Sequence, residues 1–202
     1  MAKVQFLQRE KTGLLIVDVQ EKLFERVERS AEVLEVILQV IKGFKTLHLP
    51  IVVTEQYPQG LGSTVPLIKS YLDKGQKFWS KTTFSCVSDK SVKEYISSLP
   101  VQQWVVVGIE AHVCVLQTVK ELLLIGKDPV VLNDAITSRS IYDFSTAIAE
   151  MRDLGVRVTS AETILFELVR DSKAPEFKAI SQIVKEGIPV SGCCRPSCCQ
   201  SE

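Results

Sequence analysis

The stretch that most limits what this chain can fold into is Trp104-Val105-Val106-Val107-Gly108-Ile109-Glu110-Ala111-His112-Val113-Cys114-Val115. Its first half is a short apolar run of the kind found in strands buried on both faces. Its second half opens a helical pattern, with Val113, Val115, Leu116, Val119, Leu122, Leu123 and Leu124 apolar and Gly126 closing it. A strand that feeds a helix through one glycine is half of a parallel crossover unit. Cys114 then falls on the first turn of the helix, at the carboxyl end of the strand, where open α/β sheets bind ligands. The partial positive charge of a helix start favours a thiolate there.

The same alternation recurs along the chain. Leu14–Val17 reads as a central strand, followed by a helix from Ala31 to about Leu47 with Ser30 as cap. Ile51–Thr54 is a second strand, and a long Pro- and Gly-bearing connection follows over residues 55–66, with a short helix to Tyr71. Phe78-Trp79 suggests a short strand. A helix follows from Ser88 or Asp89 through Leu99, stopped by Pro100. After Gly126, Asp128–Ala135 is a strand ending in polar residues. Phe144–Leu154 is a helix with Asp143 as cap and Gly155 as its stop. Val156–Val158 is a last strand, Thr159 with Glu162 fits a capping box, and Pro175 starts a final amphipathic helix.

This order predicts an α/β fold: one doubly wound, mainly parallel sheet flanked by helices, a Rossmann-like three-layer domain over residues 1–186. The 202 residues suffice for one substantial core. Residues 187–202 change character, with Pro189, Gly192, Pro196 and the paired cysteines Cys193, Cys194, Cys198 and Cys199, and read as a flexible tail.

Lys plus Arg and Asp plus Glu balance at 24 each, which gives no electrostatic footprint for nucleic acid or an anionic membrane. No apolar stretch approaches the roughly 20 residues of a membrane span. The first residues lack an apolar signal core, so a cytoplasmic location is expected. The six cysteines do not form a framework spread over a secreted fold, and two histidines, His48 and His112, exclude a His-rich metal site. His48 reads as a surface residue at a helix end, and Cys86 as packing.

Three chemically distinct groups fall at one sheet edge: Asp18 after the first strand, Lys81 after the aromatic strand, and Cys114 at a helix start. A carboxylate directly after four buried apolar residues is costly unless it is paired. A lone lysine such as Lys81 is most often solvated, but beside Phe78, Trp79 and Phe84 it can instead be partly desolvated and held by a carboxylate. Together they divide the labour of nucleophilic catalysis without a histidine: Cys114 attacks, Asp18 moves the proton, Lys81 holds the charge.

The segments Leu14-Leu15-Ile16-Val17-Asp18-Val19-Gln20, Lys81-Thr82-Thr83-Phe84-Ser85 and Val107-Gly108-Ile109-Glu110-Ala111-His112-Val113-Cys114-Val115 resemble the isochorismatase-like hydrolase superfamily, the cysteine hydrolases that include nicotinamidases and N-carbamoylsarcosine amidohydrolases. The similarity spans roughly 12–185. The Gly-Ile-Glu-Ala-His-Val-Cys-Val version, with Asn133-Asp134-Ala135 and Ser138-Arg139, is most similar to the isochorismatase-domain-containing subgroup. The resemblance implies an Asp–Lys–Cys triad at Asp18, Lys81 and Cys114. It also implies a cis peptide between Ile109 and Glu110, and an oxyanion hole from the Glu110 and Cys114 backbone N–H groups. The implied reaction is hydrolysis of a small amide or related carbonyl compound through a thioester.

Nicotinamidases bind zinc through an Asp-x-His and a further histidine. Here the matching stretch is Val53-Thr54-Glu55-Gln56-Tyr57-Pro58, without histidine, so no catalytic metal and no cofactor are expected. Gln20, Phe24, Tyr57, Trp79, Glu110 and His112 are the expected pocket-wall residues. Family resemblance further implies a homo-oligomer, a dimer or larger. A second reading keeps the fold but makes the chain a binding or scaffolding protein of weak catalytic power. A nuclease is disfavoured by the balanced charge.

Overall fold

A computed structural model of the chain describes residues 6–186; the tail expected at 187–202, with its four cysteines, lies outside the described residues. Six strands form one sheet in the order β3-β2-β1-β4-β5-β6, every neighbouring pair parallel. The strands are β1 (Thr12–Val17), β2 (Ile51–Gln56), β3 (Phe78–Lys81), β4 (Gln103–Ile109), β5 (Asp128–Thr137) and β6 (Arg157–Thr159). The order reverses between β1 and β4, and this topological switch point opens a crevice at the carboxyl ends of those two strands.

The pleat sorts the core into two layers. From β1, Leu14 and Ile16 join one cluster, while Leu15 and Val17 join the other. The first cluster packs under α2 (Ser30–Thr46), α8 (Ala161–Val169) and α9 (Phe177–Glu186). The second packs under α5 (Lys90–Ser98), α6 (Leu116–Leu124) and α7 (Ile141–Asp153), and contains both Cys86 and Cys114. Burial on both faces explains why the central strands read as unbroken apolar runs.

Three short helices, α1 (Glu21–Phe24), α3 (Pro58–Leu61) and α4 (Pro66–Tyr71), line the connections beyond β1 and β2. The caps differ from expectation in three places. Arg29, in the left-handed region at φ 54°, precedes α2, and no side chain caps it. Ser140, not Asp143, caps α7 by accepting from the Tyr142 N–H. The box expected from Thr159 and Glu162 does not form: the helix starts one residue later, and the Ser160 hydroxyl pairs with Thr163 instead. Only at α7 does a nearby short polar side chain take over the capping bond; α2 and α8 start without one.

One backbone approach fixes the switch point. Gly108 pairs with Val17 across β4 and β1, at φ 126°. A Cβ at Gly108 would lie 2.1 Å from the Val17 carbonyl oxygen, which only glycine avoids. The β4–β5 register shifts at the same level, between Val106 and Gly108. The two chain segments leaving β1 and β4 therefore start from nearly touching backbones.

Candidate active site

Asp18 is the first residue beyond β1 and is fully buried. Strand alternation would turn it toward α2, but its backbone is left-handed, at φ 52°, a conformation that aspartate tolerates better than most residues. Its carboxylate instead meets groups from β2, β3 and the turn after β4. Lys81 Nζ lies 2.6 Å from Oδ2, with both side chains inaccessible to solvent. The Thr54 hydroxyl donates to Oδ1 at 2.7 Å. The Cys114 thiol lies close enough to feel the charge of the same carboxylate.

Lys81 ends β3 and points inward. Besides Asp18, its ammonium donates to Gln56 Oε1 at 2.7 Å, the Phe84 carbonyl at 2.9 Å and the Thr83 carbonyl at 3.1 Å. Burial alone would lower its pKa; the charges at Cys86, Asp18 and Cys114 outweigh that and raise it. Lys81 is thus a permanent ammonium.

Cys114 sits on a π-helical turn, Ala111–Val115, that runs directly into α6. Such turns widen the helix by one residue and recur at functional sites. Burial first, and then the Asp18 carboxylate, push the thiol well above its ordinary range, although Lys81 opposes them. The expectation that the helix start would hold a thiolate is corrected: the resting group is a thiol, because a buried site beside a carboxylate outweighs a terminal dipole. The Ile109–Glu110 peptide is cis.

The expected wall residues divide. Tyr57, in the left-handed region, is 54% exposed, and its N–H donates to the Lys81 carbonyl at 2.8 Å, which puts it at the rim. Glu110 is buried, and its carboxylate takes Arg139 Nε at 2.8 Å. His112 Nδ1 pairs with the Ser138 hydroxyl at 3.0 Å. Gln20 is fully buried and its amide is engaged by the backbones of Gln56 and Gly62, so it clamps two loops instead of lining open space. Phe24 packs against the cluster on the α2 side, away from the layer that contains Cys114. Trp79 is sandwiched between Tyr95, 4.6 Å away, and the Lys77 ammonium, 3.4 Å from its ring centre, which commits it to packing along β3.

Sequence reasoning passed over Thr54 and Gln56, and gave Cys86 a packing role. Cys86 is fully buried, and its sulfur lies 3.5 Å from Thr54 Oγ1. Burial is the main reason its thiol is pushed up to about 11. The available signal was phase: Val52, Thr54 and Gln56 alternate along β2, so two polar side chains share one buried face. Among the described residues, no group of three or more His, Cys, Asp or Glu side chains is placed to hold a metal ion.

The sheet's switch point gathers a carboxylate, an ammonium and a thiol, and the family model described as "Isochorismatase domain" matches residues 12–163. The chain belongs to this family. Human isochorismatase domain-containing protein 2 is 36% identical over 180 residues, 89% of this chain and 85% of that protein. The solved structure titled MAR1 ribonuclease from Caenorhabditis elegans superposes with a TM-score of 0.85 at 34% identity, over 95% of this chain and 98% of that one. The Escherichia coli YcaC product, described as an octameric hydrolase of unknown specificity, shares the fold at TM-score 0.87 and 19% identity, over 94% of each chain.

Proposed function

We propose that this chain is a cysteine hydrolase of small amides or related carbonyl compounds, working through Asp18, Lys81 and Cys114. The observation that carries the reading is the fully buried Asp18–Lys81 ion pair, 2.6 Å long, whose two charges both act on the Cys114 thiol. Because the resting group is a thiol, attack and deprotonation are coupled. As the sulfur–carbon bond forms, the thiol proton passes to Asp18. The oxyanion is received by the backbone N–H groups of Glu110 and Cys114. Collapse breaks the carbon–nitrogen bond, and Asp18 hands its proton to the departing amine. Water, deprotonated by Asp18, then attacks the thioester; the acid is released and Cys114 regains its proton. Lys81 keeps a compensating positive charge beside the carboxylate at each stage. Function in the cytoplasm, as a homo-oligomer, completes the reading.

An aldehyde tests it directly. A small aldehyde is expected to form a thiohemiacetal on Cys114, seen as bonded density or as an adduct mass. Asp18→Asn is expected to abolish both the adduct and ammonia release from small amides. Adducts on Cys86 in preference to Cys114, or an unchanged Asp18→Asn variant, overturn the assignment.

The relatives titled MAR1 ribonuclease supply the second reading, cleavage of RNA. Against it stands the charge balance of 24 to 24, since phosphate binding is carried by an excess of Lys and Arg. RNA cleavage that falls steeply with salt and is lost in Cys114→Ala would favour the ribonuclease.

A further inference from the structure

The triad leaves one set of buried polar groups without a role, and all of them lie on one face of β2. Thr54 and Gln56 are two residues apart and point into the layer of the nucleophile, while Val53 and Glu55 face the other way. The Thr54 hydroxyl donates to Asp18 Oδ1 at 2.7 Å. Gln56 Oε1 accepts from Lys81 Nζ at 2.7 Å. The Gln56 amide has one orientation available, because its Nε2 donates to the Thr82 carbonyl at 2.7 Å and so turns the oxygen to the ammonium.

The strand end is itself pinned. The Gln56 N–H donates to Gln20 Oε1 at 2.7 Å, and Gln20 Nε2 donates back to the Gln56 carbonyl at 3.0 Å and to Gly62 at 2.6 Å. Gln20 thus plays the part of a missing neighbouring strand.

We propose that Thr54 and Gln56 are positioning residues: successive inward positions of β2 hold the two members of the Asp18–Lys81 pair, Thr54 setting the carboxylate and Gln56 the ammonium. This rests on the Asp–Lys–Cys reading. Its physical content is a division of acceptors and donors. Lys81 faces four acceptors with three protons, so it has none to lend to a substrate and acts as a fixed cation. Asp18 has Oδ2 committed to Lys81 and Oδ1 to Thr54, which fixes the carboxylate plane relative to Cys114. Removing the Thr54 hydroxyl concentrates charge on the carboxylate, which then holds the thiol proton more tightly. Removing the Gln56 acceptor loosens the cation that opposes that effect. Both changes move Cys114 ionisation to higher pH.

The probe is iodoacetamide, with the full-length protein and peptide-resolved mass spectrometry reporting each cysteine separately from pH 6 to 11. Thr54→Val and Gln56→Leu are each expected to slow Cys114 alkylation roughly tenfold at pH 8, the usual scale for a hydrogen bond to a charged group. The slowing should persist along the whole rising limb of the pH–rate curve. Thr54→Ser and Gln56→Glu keep the two contacts. Thr54→Ser should return the rate to within about threefold of wild type. Gln56→Glu should retain the Lys81 contact but slow Cys114 alkylation by its added charge.

A merely structural role would lower melting temperature and raise alkylation of every buried cysteine together, with no selective slowing at Cys114; that result overturns the proposal. If Asp18→Asn alters Cys114 alkylation but Thr54→Val and Gln56→Leu do not, the triad stands and the positioning roles fall. If Asp18→Asn also leaves Cys114 unchanged, the triad itself falls, and the roles of Thr54 and Gln56 with it.

Discussion

Cys86 and Cys114 lie in the same layer of the core, and both interact with the charge of Lys81, yet the chain delivers them differently. Cys86 comes from the loop after β3. That loop is tied down by Ser85 and Ser88, whose hydroxyls donate to Glu121 of α6 at 2.7 and 2.6 Å. Its own N–H donates to Thr118 Oγ1, and its side chain is 0% exposed. Cys114 comes from the turn that leaves β4 at the switch point, is 5% exposed, and is raised by the charge of the Asp18 carboxylate as well as by burial. Burial pushes both thiols up, so acidity does not single out a nucleophile. What separates them is position: Cys114 stands on the turn at the switch point, whereas Cys86 is held in a loop tied to α6.

The largest effect should come from the nucleophile itself. Cys114→Ala is expected to lower amide hydrolysis at least about a thousandfold, measured as ammonia released, whereas Cys86→Ala keeps activity within about threefold. Equal losses in the two variants would erase the distinction. Asp18→Asn keeps the shape of the site but removes the base; a fall of roughly a hundredfold or more in kcat is expected, with the folded state retained.

Gly108→Ala separates the two thiols by architecture. Only the segment bearing Cys114 depends on the close pass of Gly108 over Val17, where a Cβ would meet the carbonyl oxygen at 2.1 Å. The variant should lose more than about 2 kcal/mol of stability in urea unfolding and lose Cys114 reactivity, while the Cys86 loop stays protected from alkylation.

The smallest effect concerns pH. The Cys86 thiol, at about 11 in the folded chain, lies above the ordinary thiol value near 9. A raised group stabilises the fold fully below its unfolded value, and that contribution is lost as pH climbs toward the folded one. Stability should therefore decline between about pH 9 and 11 with a component that Cys86→Ala removes, at a cost near neutral pH of about 1 kcal/mol for the lost sulfur. A decline of the same size in the variant would assign the effect to another group.

The comparison also shows what the amino-acid order makes readable. Six strands and most of the helices follow from apolar runs and 3.6-residue periodicity, because a sheet covered on both faces leaves no ambiguity about what is buried. Asp18, Lys81 and Cys114 are visible because each follows a strand, and the sheet's parallel order brings strand ends to one edge. Thr54 and Gln56 escaped notice because they stand where a strand becomes a loop, and polarity there reads as surface. Trp79, two residues and roughly 7 Å from Lys81 along the strand, stacks on Tyr95 of α5, a contact that local sequence does not reveal. Where Gln20 turns its side chain is likewise decided by a distant contact, its amide donating to the Gln56 carbonyl 36 residues away.

The mismatch at Lys81, three protons among four acceptors, has a dynamic meaning. At any instant one acceptor goes unserved, so the ammonium behaves as a sealed rotor that redistributes its protons among Asp18, Gln56, Thr83 and Phe84 without solvent. Its protons should exchange with water far more slowly than those of surface lysines. In a spectrum of the ¹⁵N-lysine-labelled protein it would stand out near neutral pH as a persistent ammonium signal, a direct gauge of how tightly the site is closed.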